Sequence, residues 1–127
     1  MKKFFTPIFL ILFFANAHFA FAQENKYIDV DEQDKYADAI YDITKRGIVS
    51  GNPDGSYRPN SFINRAELLK IFILASFDPI DYGDEINTFA NDKCFEDVRP
   101  HEWYTKYVCF GKEKGLIKGY LDGNFMP

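Results

Sequence analysis

GIVSGNPDGSYRPN, residues 47–60, is the stretch on which the reading of this chain turns. It returns without a gap as GLIKGYLDGNFMP at 115–127, an offset of 68 residues. The same offset sets Asp29-Val30 on Asp97-Val98, Tyr36 on Tyr104, Ile40 on Val108, Tyr57 on Phe125 and Pro59 on Pro127. Gly, Asp and Pro recur where the backbone has to turn, and apolar residues recur between them. Both classes keep one register, which marks an internal duplication.

Upstream of the first copy, Tyr36, Ala39, Ile40 and Ile43 form an i, i+3, i+4, i+7 stripe, so a helix is expected from about Lys35 to Arg46. Gly47 suits the left-handed position after its last turn, and Ile48 the apolar contact of a Schellman cap. Residues 49–62 then hold Gly51, Asn52-Pro53-Asp54-Gly55 and Pro59-Asn60, a loop of turn formers in which Tyr57 adds a short extended piece. Downstream, Asn64 and Glu67 have the spacing of a capping box, with Ile63 and Leu68 placed as a hydrophobic staple. The run Leu69 to Phe77 is apolar nearly all round, which predicts a helix buried on more than one side, stopped by Asp78-Pro79.

Residues 78–93 carry Asp78, Asp81, Asp84, Glu85 and Asp92, and read as a solvated acidic linker with at most one helical turn. The second unit, 94–127, opens near Phe95, and its first helix is expected to hold Trp103, Tyr104, Tyr107, Val108 and Phe110 before stopping at Gly115. Gly111 inside it costs up to about 1 kcal/mol relative to Ala. The counterpart of the first unit's second helix is expected beyond Pro127, so this unit calls for a neighbour to cover its apolar face.

The chain of 127 residues begins with Met1-Lys2-Lys3, an apolar run to Phe14 and small residues ending Ala20-Phe21-Ala22. These are the three parts of a secretory signal peptide at 1–22, cleaved after Ala22, with Ala17 as the second choice. A membrane anchor, which needs about 20 apolar residues, is opposed by Pro7, Asn16 and His18. Losing Lys2 and Lys3 with the leader takes the formal charge from −4 to −6. That balance argues against nucleic acid and anionic lipid as partners. Export also makes pairing of Cys94 with Cys109 the default over two buried thiols. A loop of about 15 residues closed this way contributes about 3 kcal/mol.

With these features in view, residues 47–60 resemble the central signature of the S-layer homology (SLH) domain family, and Ile63-Asn64-Arg65-Ala66-Glu67 its helix-start motif, with Asn64 where Thr is usual. Phe95-Glu96-Asp97-Val98 and Trp103 resemble its opening motif, of which Tyr27-Ile28-Asp29-Val30 is a weaker copy. The likeness covers residues 27–127, in one full repeat (23–77) and a truncated second. It departs at Leu121, where Pro is usual, and at Met126, opposite Arg58. The resemblance implies a mainly α fold of helix-loop-helix repeats packed about a pseudo-threefold axis. It implies non-covalent binding of secondary cell-wall polysaccharide, often pyruvylated, in grooves between repeats. The chain would then be the N-terminal part of a longer protein of the bacterial cell surface, its partners the glycan and a neighbouring repeat or C-terminal cargo domain.

Arg65 is the candidate ligand for a glycan carboxylate: its guanidinium makes bidentate charge-assisted contacts, and its place at N1 of a helix favours an anion. Pairing with Glu67 or Asp54 is the competing reading. Asp54, Asn52, Gly51 and, in the second loop, Asp122 complete the expected glycan-binding set, although Asp54 and Gly51 also suit a structural turn. Tyr57 and Trp103 have faces that stack on sugars, but their apolar periodicity favours core packing. Glu67 reads as a cap.

Three other classes fit less well. A calcium loop with Gly55 at position 6 puts Arg58 at position 9 and Ser61 at 12, where a bidentate acid is needed. An enzyme is opposed by a mature chain with one histidine, His101, and no Ser–His–Asp or Cys–His arrangement. No cofactor or metal is expected. A protein–protein interaction repeat without glycan binding shares the fold, and the expected discriminator is Arg65, whose loss should abolish glycan binding and leave folding intact.

Overall fold

The structure is a computed structural model, and it describes residues 27–127. The expected signal peptide at 1–22, with the cleavage expected after Ala22 or Ala17, lies outside the described residues. Four helices follow in order: α1 (Ala37–Lys45), α2 (Arg65–Ser76), α3 (Pro79–Thr88) and α4 (Thr105–Glu113), with a 3-10 turn at Phe89–Asn91 between the last two. Among the described residues there is no strand, and the fold is mainly α as expected.

The helix ends follow local chemistry. After α1, Gly47 takes φ 71°, and the amides of Gly47 and Ile48 donate to Thr44 and Ile43 at 2.9 Å each, closing a Schellman cap. At α2, the Glu67 amide donates to Asn64 Oδ1 and the Asn64 amide to Glu67 Oε2, both at 2.8 Å, so the capping box is complete. Ile63 and Leu68 stay exposed beside it.

Two cores result. A small one gathers Tyr27, Val30, Ala37 and Ile40, with Tyr41 and Tyr57 against it. A large one joins Ala66, Leu69 and Ile73 of α2 to Ile86 of α3, to Val108, Cys109 and Phe110 of α4, and to Phe95, Val98 and Phe125. The second helix of the first repeat thus packs with the second repeat, and α2 and α3 supply the neighbour that the second repeat's apolar face requires. The disulfide Cys94–Cys109, with Cα atoms 5.4 Å apart, crosses this core.

Three expectations are corrected. Residues 78–93 are not a solvated linker. Asp78 accepts the Ile80 amide at 2.9 Å as an N-cap and Pro79 occupies the first turn, so the dipeptide that stops α2 also starts α3. Helix α3 buries Ile86, and its Glu85 pairs with Lys114 of the second repeat at 2.8 Å. Helix α2 is not buried on several sides: Leu69 and Ile73 are covered, while Leu68 and Phe72 are 57% and 51% exposed. Trp103 and Tyr104 precede α4 rather than lying within it.

Gly111 gains a reason. A Cβ there would meet both methyls of Leu69 at 3.4 Å, so glycine lets α4 approach α2 closely. That packing offsets the roughly 1 kcal/mol helix penalty.

Candidate functional site

Both copies of the signature loop are fastened in the same way. The carboxylate of Asp29 accepts the amides of Tyr57 and Arg58 at 2.7 Å, and that of Asp97 accepts those of Phe125 and Met126 at 2.8 and 2.7 Å. Arg58 and Met126 themselves sit at φ 63° and 57°. The left-handed turn is uncommon for such side chains, and two charge-assisted hydrogen bonds hold it in place. At Asp29 the Tyr57 amide is the main cause holding the carboxyl below its ordinary value. At Asp97 burial pushes the carboxyl up, but the Phe125 and Met126 amides and the nearby Arg65 charge outweigh it.

Asp54 closes the first turn. Its Oδ1 accepts the Ser56 hydroxyl at 2.6 Å and the Ser56 amide at 3.0 Å, and its Oδ2 pairs with Arg58 at 2.7 Å. These contacts, the Ser56 hydroxyl first, bring its pKa to about 2. Asp122 plays the equivalent part in the second loop, accepting the amide and side chain of Asn124 at 3.0 Å. Gly51, at φ 66°, leaves no room for a Cβ because the ring of Tyr27 lies against it; Phe95 does the same at Gly119.

Arg65 faces the second loop, not the first. Its Nη1 donates to the Phe125 carbonyl at 2.6 Å and its Nη2 to the Lys118 carbonyl at 2.7 Å. The guanidinium lies over the rings of Phe125 and Tyr120, at 4.3 and 5.1 Å from their centroids. Arg65 therefore pairs with neither Glu67 nor Asp54.

The first loop instead walls a groove of about 370 Å³. Its lining comes from residues 48–52 and 57–59 of the loop, from Ser61, Ile63, Glu67, Lys70 and Ile71 at and within the start of α2, and from Trp103 of the second repeat. Gly51 and Asn52 of the expected set lie in it; Asp54, Arg65 and Asp122 do not line it. Trp103, expected in the core, is 49% exposed here, and Lys70 Nζ stands 5.8 Å from its ring centroid. A helical period assigned it to the buried face, but it precedes α4 and escapes that period. Tyr57 does pack against the small core, 5.2 Å from Tyr27. Among the described residues no cluster of ligating side chains could hold a metal ion.

The S-layer homology domain profile matches residues 26–69 and 95–127. A cellulosome-anchoring protein of Acetivibrio thermocellus is 33% identical over 91 residues, covering 70% of this chain and 19% of that protein. An S-layer protein of Bacillus licheniformis is 30% identical over 90 residues, covering 71% of this chain and 9% of its own. An amylopullulanase of Thermoanaerobacterium thermosulfurigenes is 30% identical over 105 residues, covering 80% and 5%. The chain thus spans less than a fifth of the length of these relatives. No solved structure matches it significantly.

Proposed function

Because this chain belongs to the S-layer homology family, we propose that it is a non-catalytic anchoring module that holds a bacterial cell-surface protein to secondary cell-wall polysaccharide. The relatives named for anchoring and for the S-layer support the surface role, and the amylopullulanase supports a module that accompanies a catalytic domain rather than being one. The observation that carries the glycan reading is the groove between the first loop and Trp103 of the second repeat, open and lined by polar and aromatic groups together. A polysaccharide needs such a surface: hydrogen-bond partners for hydroxyls and an apolar face for the sugar ring.

In this reading Gly51 and Asn52 meet sugar hydroxyls in the groove, and Asp54 holds the loop in shape beside them. Arg65 and Asp122 form a second contact region at the second loop, where Arg65 brings positive charge to a carboxylate such as a pyruvate ketal. The partners are the glycan and a further repeat or cargo domain in the same surface protein. Sedimentation with purified sacculi tests the proposal. The exported chain should pellet with them, and Asn52→Ala, folded by circular dichroism, should pellet less. A folded chain that stays in solution would favour the protein-interaction reading instead.

A further inference from the structure

We propose that the Cys94–Cys109 disulfide is a thiol-sensitive latch on the second loop, whose reduction frees Arg65 from that loop and weakens the hold on the wall. The latch rests on packing alone, and its effect on the wall rests on the anchoring reading.

The two repeats make one joint by different chemistry. The joint ties the segment that opens each repeat to the helix that follows it, and the 68-residue offset sets Tyr27 on Phe95, Tyr41 on Cys109 and Thr44 on Lys112. In the first repeat the Tyr27 hydroxyl and Thr44 Oγ1 share a hydrogen bond at 2.9 Å, and the rings of Tyr27 and Tyr41 stack with centroids 6.2 Å apart. In the second, Phe95 has no hydroxyl and Cys109 no ring. The disulfide takes their place, with the Lys112 ammonium donating to the Cys94 carbonyl and standing 4.4 Å from the Phe95 ring centroid. The chain has two cysteines, both in this bond, so the second joint responds to thiols and the first does not.

Next to Cys94 in the chain lie the groups that shape the second loop. Phe95 packs on Phe125 with centroids 5.5 Å apart and lies against Gly119. The Glu96 amide donates to the Gly123 carbonyl at 3.1 Å, and Asp97 accepts the amides of Phe125 and Met126. The Phe125 and Lys118 carbonyls in turn accept from Arg65. Contacts therefore run without a break from the disulfide to the guanidinium. Cys94 is partly exposed and Cys109 is buried, so an external thiol meets Cys94 first. Its attack forms a mixed disulfide at Cys94 and releases the Cys109 sulfur, and a second thiol then displaces Cys94. Two reductant thiols become one disulfide, while two electrons and two protons pass to the sulfurs of the chain. A disulfide that only staples a small exported fold would make the same contacts, and its resistance to a mild thiol separates the two.

The oxidised exported protein is equilibrated without denaturant in glutathione buffers of rising reduced fraction, and its free thiols are counted by alkylation and mass spectrometry. The bond should open within that range with the helical circular dichroism kept. The guanidinium NMR signals of Arg65 should move toward those of free arginine, while the amides of Tyr27 and Tyr57 stay in place. The double variant Cys94→Ser with Cys109→Ala should match the reduced form and ignore glutathione. Affinity for purified sacculi should fall about tenfold on reduction. A bond that resists glutathione, or Arg65 signals that stay put when it opens, overturns the latch. Loss of the whole helical signal overturns it too, because the bond is then a staple of the fold. Unchanged pelleting while the Arg65 signals move overturns the link to the wall. An oxidised protein that never pellets overturns the anchoring reading, and the Arg65 signals still decide the latch.

Discussion

The two signature loops share their turn chemistry and differ in what surrounds them. Each hangs on one carboxylate, Asp29 or Asp97, through two consecutive amides. The first then rests on a small aromatic cluster and keeps one side open as a groove wall. The second places Phe125, fully buried, in the large core and is gripped from outside by Arg65. One motif thus serves two purposes according to its packing: the residues within the loop set the shape of the turn, and residues outside it decide whether it is a surface or a structural joint.

Truncating equivalent positions is the strongest way to break this contrast. Phe125→Ala should destabilise by about 3–5 kcal/mol, as expected for a fully buried aromatic ring, and Tyr57→Ala by clearly less, read from urea midpoints. Equal losses would mean that the first loop is as deeply embedded as the second. Reduction of Cys94–Cys109 comes next. It should cost about 3 kcal/mol and loosen α4 and the second loop first, which hydrogen exchange of the Val108 and Phe125 amides against those of Ile40 and Tyr57 would resolve.

Arg65→Ala sharpens the comparison at the joint itself. Losing two charge-assisted bonds to main-chain carbonyls should cost about 2 kcal/mol, with chemical shifts moving at residues 118–126 and not at 47–60. A loss of glycan binding in this variant has to be read against that folding cost. The smallest effect is in acid. A carboxyl held below its ordinary value stabilises the fold above that value and gives up the contribution as pH falls through the folded pKa. For Asp54 the window runs from 3.8 down to about 2, so the Ser56 amide shift should titrate there and Asp54→Asn should remove the titration.

Where a feature rests on residues within five of one another, the sequence was enough to read it. The Gly47 stop, the Asn64–Glu67 capping box and the Asp54 turn all fall in that class, and all form as expected. The duplication also exposed the mainly α repeat architecture. What escaped depends on distance. Arg65 finds its acceptors 53 and 60 residues away, and nothing near it in the chain signals carbonyls as partners. Helix α3 was hidden by its acidic face: five acids between 78 and 92 outweighed Ile86 as a core signal, although Asp78-Pro79 had the form of a cap and first turn. Of the glycan set, Gly51 and Asn52 lie in the groove, while the exposure of Trp103 at its lining depends on how two repeats meet.

Because α2 is encoded by one repeat and buried by the next, sequence periods and packing units in this molecule are out of phase by half a repeat. Such an array interlocks like roof tiles, each course covering the edge of its neighbour. A cut made at the apparent boundary near residue 77 would strip both pieces of their shared core. A cut near residues 60–63, in the middle of the repeat as written, would leave the larger course intact, and that is where this chain would tolerate grafting or exchange of units.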